Sequence, residues 1–175
     1  MIALFSTAFA ENAQDPARDP LESRFRALAE PQGEGWRIAE ADILRAWAQS
    51  GSAAMDLLLQ RGEAAMDEGD AITAIGHLTA LTDHAPGFAE GWRARAEALA
   101  LTGRSGPALA DLWRCLSLEP RHFAALTRLG AILEDTGKDD AALAAYDRSL
   151  AIHPHQPEAL DGRARILQRK QGVAL

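Results

Sequence analysis

Small and large apolar side chains return along this chain at steps of three or four, and the whole pattern returns at a step of 34. Leu58, Gly62, Ala65, Ala74, Leu78 and Leu81 set it out first. Trp92, Ala96, Leu99, Ala108, Leu112 and Cys115 repeat it, and Leu126, Leu129, Gly130, Leu133, Ala142, Tyr146 and Ser149 repeat it again. Steps of three and four mark one face of an α-helix, and a fixed period dictates a repeat architecture. Gly69, Gly103 and Gly137 keep the same period, as do Pro86, Pro120 and Pro154. Such a unit holds two helices of about 14 residues, each about 21 Å long. The pattern predicts helices at 55–68 and 71–84, at 89–102 and 105–118, and at 123–136 and 139–152. Small residues let paired helices approach, and bulky ones fill the gaps between them. Asp70 and Ser105 are the expected N-caps of two second helices.

The flanks are weaker. Asp19-Pro20-Leu21-Glu22 reads as a helix start with Asp19 as cap; Leu21, Phe25 and Leu28 share a face, and Pro31 and Gly33 end the helix. Trp36, Ile43 and Trp47 mark a second helix over 35–49, with Leu44 beside them. Gly35 lies 34 residues before Gly69, so the segment 19–52 is expected to be a degenerate hairpin that covers the first repeat. A solenoid's end unit otherwise exposes its stacking face. Residues 157–175 are expected to cap the other end, with Leu160, Ala164 and Leu167 facing back and charged residues facing out.

The order W-x2-L-G-x2-Y, then A-x3-F, then P, is the tetratricopeptide pattern. The third unit resembles it most, through Leu129, Gly130, Ala142, Tyr146 and Pro154. The second keeps Trp92 but has Arg95 and Ala96 for the usual Leu and Gly; the first has Leu58 for Trp and Arg61 for Leu. The resemblance implies an all-α solenoid of three helix hairpins, 55–88, 89–122 and 123–156, within the segment 53–156. The stretches Trp47–Ser52 and Pro120–Leu126 are similar to small bacterial exported tetratricopeptide proteins, which implies a scaffold role.

In that family the first helix of each unit lines a concave groove. Carried over, its lining is Asp56, Leu59, Glu63, Met66 and Asp67, then Glu90, Arg93, Glu97, Ala100 and Leu101, then Ala124, Thr127, Ala131, Glu134 and Asp135. The C-terminal helix adds Glu158, Asp161, Arg165, Gln168 and Arg169. One subclass grips a terminal carboxylate with Lys and Asn at two of these positions. Leu59 and Glu63 stand there in this chain, so capture of that kind is not expected.

Composition narrows the function. A net charge of −7 with a pI near 5.2 argues against a general nucleic-acid binder. A single cysteine excludes an internal disulfide, and no run is long and apolar enough to span a bilayer. Met1–Ala10 is uncharged and ends Ala8-Phe9-Ala10, like a signal-peptide cleavage site, and 11–18 reads as a linker. The expected location is periplasmic or secreted, with the cytoplasm as alternative.

No cofactor or metal is expected. His84, His122, His153 and His155 fall at inter-repeat turns as exposed residues, too far apart for a ligand set. Cys115 occupies a packing position, and no nucleophile elbow or phosphate loop occurs. The chain is therefore expected to be a non-catalytic, monomeric scaffold that binds a protein or peptide. Asp56, Glu63, Asp67, Glu90, Glu97, Glu134 and Asp135 face Arg93 as the single base of the repeat lining, which favours a basic or basic–apolar segment. Leu59, Met66 and Leu101 would anchor its apolar side chains, and Arg165 and Arg169 would hold its acidic end. The alternatives are a self-assembling subunit joined through surfaces such as Trp113, and a hydrolase on an α-scaffold.

Overall fold

The computed structural model describes residues 21–30 and 33–173. The leader-like segment 1–10, the linker 11–18 and the Asp19–Pro20 helix start lie outside the described residues. Within these, nine helices and no strand occur: α1 Glu22–Ala29, α2 Gly35–Trp47, α3 Ala53–Asp67, α4 Ala71–His84, α5 Ala89–Leu101, α6 Ser105–Leu118, α7 Phe123–Asp135, α8 Asp139–Ile152 and α9 Pro157–Val173. Helices α3 to α8 form the three expected pairs, and α9 packs on α8 and α7.

The 34-residue markers have local causes. Gly69, Gly103 and Gly137 follow the ends of α3, α5 and α7 with φ of 79°, 74° and 72°, a conformation that favours glycine. After each, the next backbone N–H returns to a carbonyl of the last turn: Asp70 to Ala65 at 2.8 Å, Arg104 to Leu99 at 2.9 Å and Lys138 to Leu133 at 2.8 Å. These closures satisfy carbonyls that a helix end leaves open and turn the chain into the second helix. Asp70 caps α4 as expected, accepting from the Thr73 N–H. Ser105 does not cap: it is the first helical residue of α6, and no side-chain bond closes that end.

Within a pair, one bulky side chain seats on a glycine. A Cβ at Gly62 would stand 2.5 Å from the Leu78 side chain, and one at Gly130 would stand 2.6 Å from the Tyr146 ring. Gly162 of α9 meets the other edge of that ring, where a Cβ would stand 2.4 Å away. The face of α9 is therefore Ala159, Gly162 and Ile166, one position off the expected set; Leu160 is 47% exposed and Ala164 is exposed. In the second pair, Arg95 replaces the family's leucine by forming a two-point pair with Asp111 at 2.7 and 2.8 Å and donating to Thr82. Burial pushes the Cys115 thiol up to about 12, which leaves it an inert packing group.

The N-terminal hairpin departs from expectation. Helices α1 and α2 pair through Phe25, Leu28, Ala39 and Ile43, but their apolar cluster is completed by Phe123, with Ala124 and Ile152 against it. The hairpin therefore rests on the third repeat instead of covering the first. Leu57 and Ile72 of the first repeat stay 45% and 71% exposed. The reason is chemical. The hairpin offers aromatic rings and acids, and their counterparts, three histidines and an arginine, stand at the turns before α7 and α9.

Candidate binding groove

Inner helices α5, α7 and α9 line one side of a half-open cavity of about 600 Å³, and α2 forms the opposite wall. Arg93 and Glu97 come from α5, Ala124, Thr127 and Arg128 from α7, Glu158 from α9, and Trp36, Glu40 and Leu44 from α2. His153, His155 and Gln156 close the turn end.

Of the residues expected to line the groove, the cavity brings together Arg93, Glu97 and Thr127, with Ala124 and Glu158. Thr127 contributes little surface: it is buried and donates to Gln156 Oε1 at 2.8 Å. Leu59 is a correction, since at 2% exposure it belongs to the core with Ala74 and Leu78. Met66 is half-buried against the same cluster, whereas Asp67, Leu101 and Asp135 are exposed away from the cavity. Asp56 fastens the α2–α3 connection instead, accepting from Ser50 N–H and Oγ at 2.7 and 2.6 Å, and those bonds lower its pKa.

The expected acidic wall is internally neutralised. Arg93 donates to Glu90 at 2.6 Å and stands 3.6 Å from Glu63, and Arg128 pairs with Glu97 at 3.0 Å. Burial pushes the Glu90 pKa up, but the Arg93 charge and the His122 hydrogen bond outweigh it and hold it low. Glu63 goes the other way, raised chiefly by burial. Glu134 accepts from Arg165, Arg169 and Tyr146, and the Arg165 bond above all holds its pKa down to about 2. Arg165 and Arg169 are thus committed to Glu134 and Asp139 at the α7–α9 contact. The count of a single base overlooked Arg128, which lies one position beyond Thr127.

The histidines are the larger surprise. His122 is buried at 0% exposure and His153 at 1%. His122 Nδ1 accepts from the Ala125 N–H, so its Nε2 carries the hydrogen and donates to Glu90 at 2.8 Å. Trp47 stacks on this ring with centroids 4.1 Å apart and planes at 22°. Trp36 stacks on His155 at 4.6 Å and meets His153 at 5.6 Å. Glu40 stands 3.1 Å from His153 Nε2, His155 bonds the Glu30 carbonyl at 2.7 Å, and Arg121 pairs with Glu22 while lying over the Phe25 ring. The signal was present in the sequence, as ring-bearing positions on α2 and histidines at the turns. Their pairing was not. Among the described residues, no group of three or more His, Cys, Asp and Glu side chains is placed to hold a metal ion, and no helix is long and apolar enough to cross a membrane.

A stacked array of helix hairpins with an inner helical face defines a repeat scaffold, and its relatives give the family. A tetratricopeptide-repeat model matches residues 123–166. A TPR repeat-containing protein of Rhizobium etli is 32% identical over 144 residues, covering 82% of this chain and 71% of that protein. The chain belongs to the tetratricopeptide-repeat family. Its fold is similar to the Sgt2 TPR domain of Aspergillus fumigatus, with a TM-score of 0.67 at 22% identity over 70% of this chain and 83% of that one. It is also similar to the first TPR of Spaghetti (RPAP3) bound to the HSP90 peptide SRMEEVD, with a TM-score of 0.66 at 24% identity over 69% and 95%. At these identities the likeness establishes the fold.

Proposed function

We propose that this protein is a non-catalytic interaction scaffold that holds a segment of a partner protein in the groove bounded by α2, α5, α7 and α9. The observation that carries the reading is the half-open cavity of about 600 Å³ on the inner helices, walled by rings, aliphatic groups and paired charges. A few placed polar groups among apolar walls are what a segment-binding cleft requires. The Spaghetti domain's bound HSP90 peptide supports a role of this type. The paired lining favours a segment of mixed charge with apolar anchors over a purely basic one, because Arg93 and Arg128 stand among the acids.

A displayed peptide library selected on the full chain tests the reading. Swapping the Glu97–Arg128 pair as Glu97→Arg with Arg128→Glu keeps the pair but inverts its polarity, so the selected sequences are expected to change. Identical sequences from both proteins would place binding elsewhere. We further propose that the protein is exported, a reading that rests on the Ala8-Phe9-Ala10 pattern alone. N-terminal sequencing of protein from native cells checks it, and a mature chain that still begins at Met1 would contradict it.

A further inference from the structure

Helix α9 stands where the first helix of a fourth repeat would stand. Leu160, Ala164 and Leu167 lie one period after Leu126, Gly130 and Leu133 of α7, and two periods after Trp92, Ala96 and Leu99 of α5. Each such helix has two packing faces. One lies back on the second helix of the preceding unit; in α9 it is Ala159, Gly162 and Ile166, with Gly162 against the Tyr146 ring of α8. The other receives the second helix of its own unit. That receiving face is buried in α7, where Tyr146 seats on Gly130, and in α3 Leu78 seats on Gly62.

On α9 the receiving face is uncovered. Leu160 and Ala164 are exposed, Leu167 is half-buried, and among the described residues no helix follows α9. Steps of four and three put the three side chains on one helical stripe, and none of them lines the groove. Helix α9 runs 17 residues, against 13 for α5 and for α7, so it is long enough to carry a 14-residue second helix such as α6 or α8. The charge beside the stripe has a counterpart too. Arg163 lies two periods after Arg95, which forms its two-point pair with Asp111, the residue before Leu112 on the second helix of that unit. Arg163 reaches back through Nε to Asp147, in a pair that stays about half exposed on both sides.

We propose that α9 is a half-built repeat that docks one amphipathic helix of a partner protein. This helix presents a small residue, an acid three positions on, a leucine directly after the acid and a second small residue three further on. Ala108, Asp111, Leu112 and Cys115 of α6 are the template within this chain. The partner's large side chain seats on Ala164. Because Ala164 corresponds to Ala96, whose unit uses Leu112, and not to the glycines that seat Leu78 and Tyr146, leucine suits it better than tyrosine. The acid meets Arg163 as Asp111 meets Arg95. The site lies outside the groove and does not depend on the groove reading.

The test is a fluorescence-anisotropy titration of the full chain with a labelled peptide of residues 105–118 carrying Cys115→Ala and held helical by a lactam bridge on its polar side. Ala164→Arg puts a long charged side chain into the middle of an exposed stripe and leaves the core alone, so it should weaken binding at least about tenfold. Leu57→Arg, on the exposed face of α3 at the other end of the repeats, should leave binding unchanged. No binding to the wild-type chain, binding that ignores Ala164→Arg, or binding lost in Leu57→Arg overturns the proposal. Exchanging the charges tests the acid: Asp111→Arg in the peptide should cost at least about tenfold on the wild-type chain and recover on the Arg163→Glu chain. Absence of that recovery overturns the acidic position. Hydrogen exchange needs no variant. With saturating peptide, α9 should gain protection while α1 and α2 are unchanged, and protection gained at α2 in place of α9 would move the peptide to the groove and contradict the assignment. Sedimentation of the chain without peptide covers the remaining occupant: a concentration-dependent dimer abolished by Ala164→Arg would make it a second copy and overturn a separate partner.

Discussion

The third repeat and the hairpin that rests on it are both helix pairs, yet they are held by opposite means. In the repeat, Tyr146 fills the space left by Gly130 and Gly162, its hydroxyl donates to Glu134 at 2.9 Å, and the neighbouring apolar side chains are buried. In the hairpin, Phe25, Leu28, Ala39 and Ile43 need Phe123 to complete their cluster, and the rest of the contact is ring stacking and ion pairs. Close packing of complementary shapes admits one arrangement and resists change. Ring stacks and partly exposed ion pairs are individually weaker. The comparison teaches that one fold carries a closely packed platform and a cover held by weaker contacts.

The largest effect should follow from emptying the platform. Tyr146→Ala removes the ring between two glycines and should cost about 3–5 kcal/mol, read as a shift in the urea midpoint that takes all three repeats with it. Overfilling the same contact comes next. Gly130→Ala places a methyl where Tyr146 stands, and Ala142→Leu forces a larger side chain into a fully buried site. Each should cost about 1–3 kcal/mol, and unchanged unfolding of either would mean that the helices are not in this register.

Loosening the cover should do less. Trp36→Ala forfeits stacking worth about 0.5–1.5 kcal/mol, and it should raise hydrogen exchange in residues 22–47 while leaving the unfolding of the repeats in place. Acid should act in the same direction. Burial holds the His153 pKa below its usual value despite Glu40, with His155 adding to the depression. The open form therefore binds the proton more readily than the docked form. This contribution is complete above about pH 6.5, the ordinary histidine value, and is lost as pH falls below it. Faster exchange of the hairpin at pH 5.5 than at pH 7.5, after correction for the intrinsic rate, is the expected reading. The smallest effect belongs to Arg163→Ala. Its pair with Asp147 is about half exposed on both sides, so the loss should stay below about 1 kcal/mol.

Much of the platform was legible because its causes are local and periodic. A glycine after each inner helix and a proline after each outer helix are needed by every unit, so they recur at 34 residues. The small residues at Gly62 and Gly130 recur for the same reason. The cover was legible as helices and illegible as a contact. Glu22 meets Arg121, and Glu40 meets His153, across about a hundred residues of chain, and no period connects them. The groove suffered from the same limit. Carrying over family positions named Arg93, Glu97 and Thr127, which line the cavity, but it sent Leu59 to a surface it does not reach. It also counted acids without the arginines of the following helices that pair with them.

Native-state hydrogen exchange of the full chain, followed segment by segment at pH 7.5, tests the division between platform and cover most directly. Amides of Ala39–Trp47 should exchange through a local opening that leaves α5–α8 protected, with protection at least about tenfold lower than in those helices. If the α2 amides exchange only when α7 and α8 do, the hairpin and the repeats are one cooperative unit and the division is wrong.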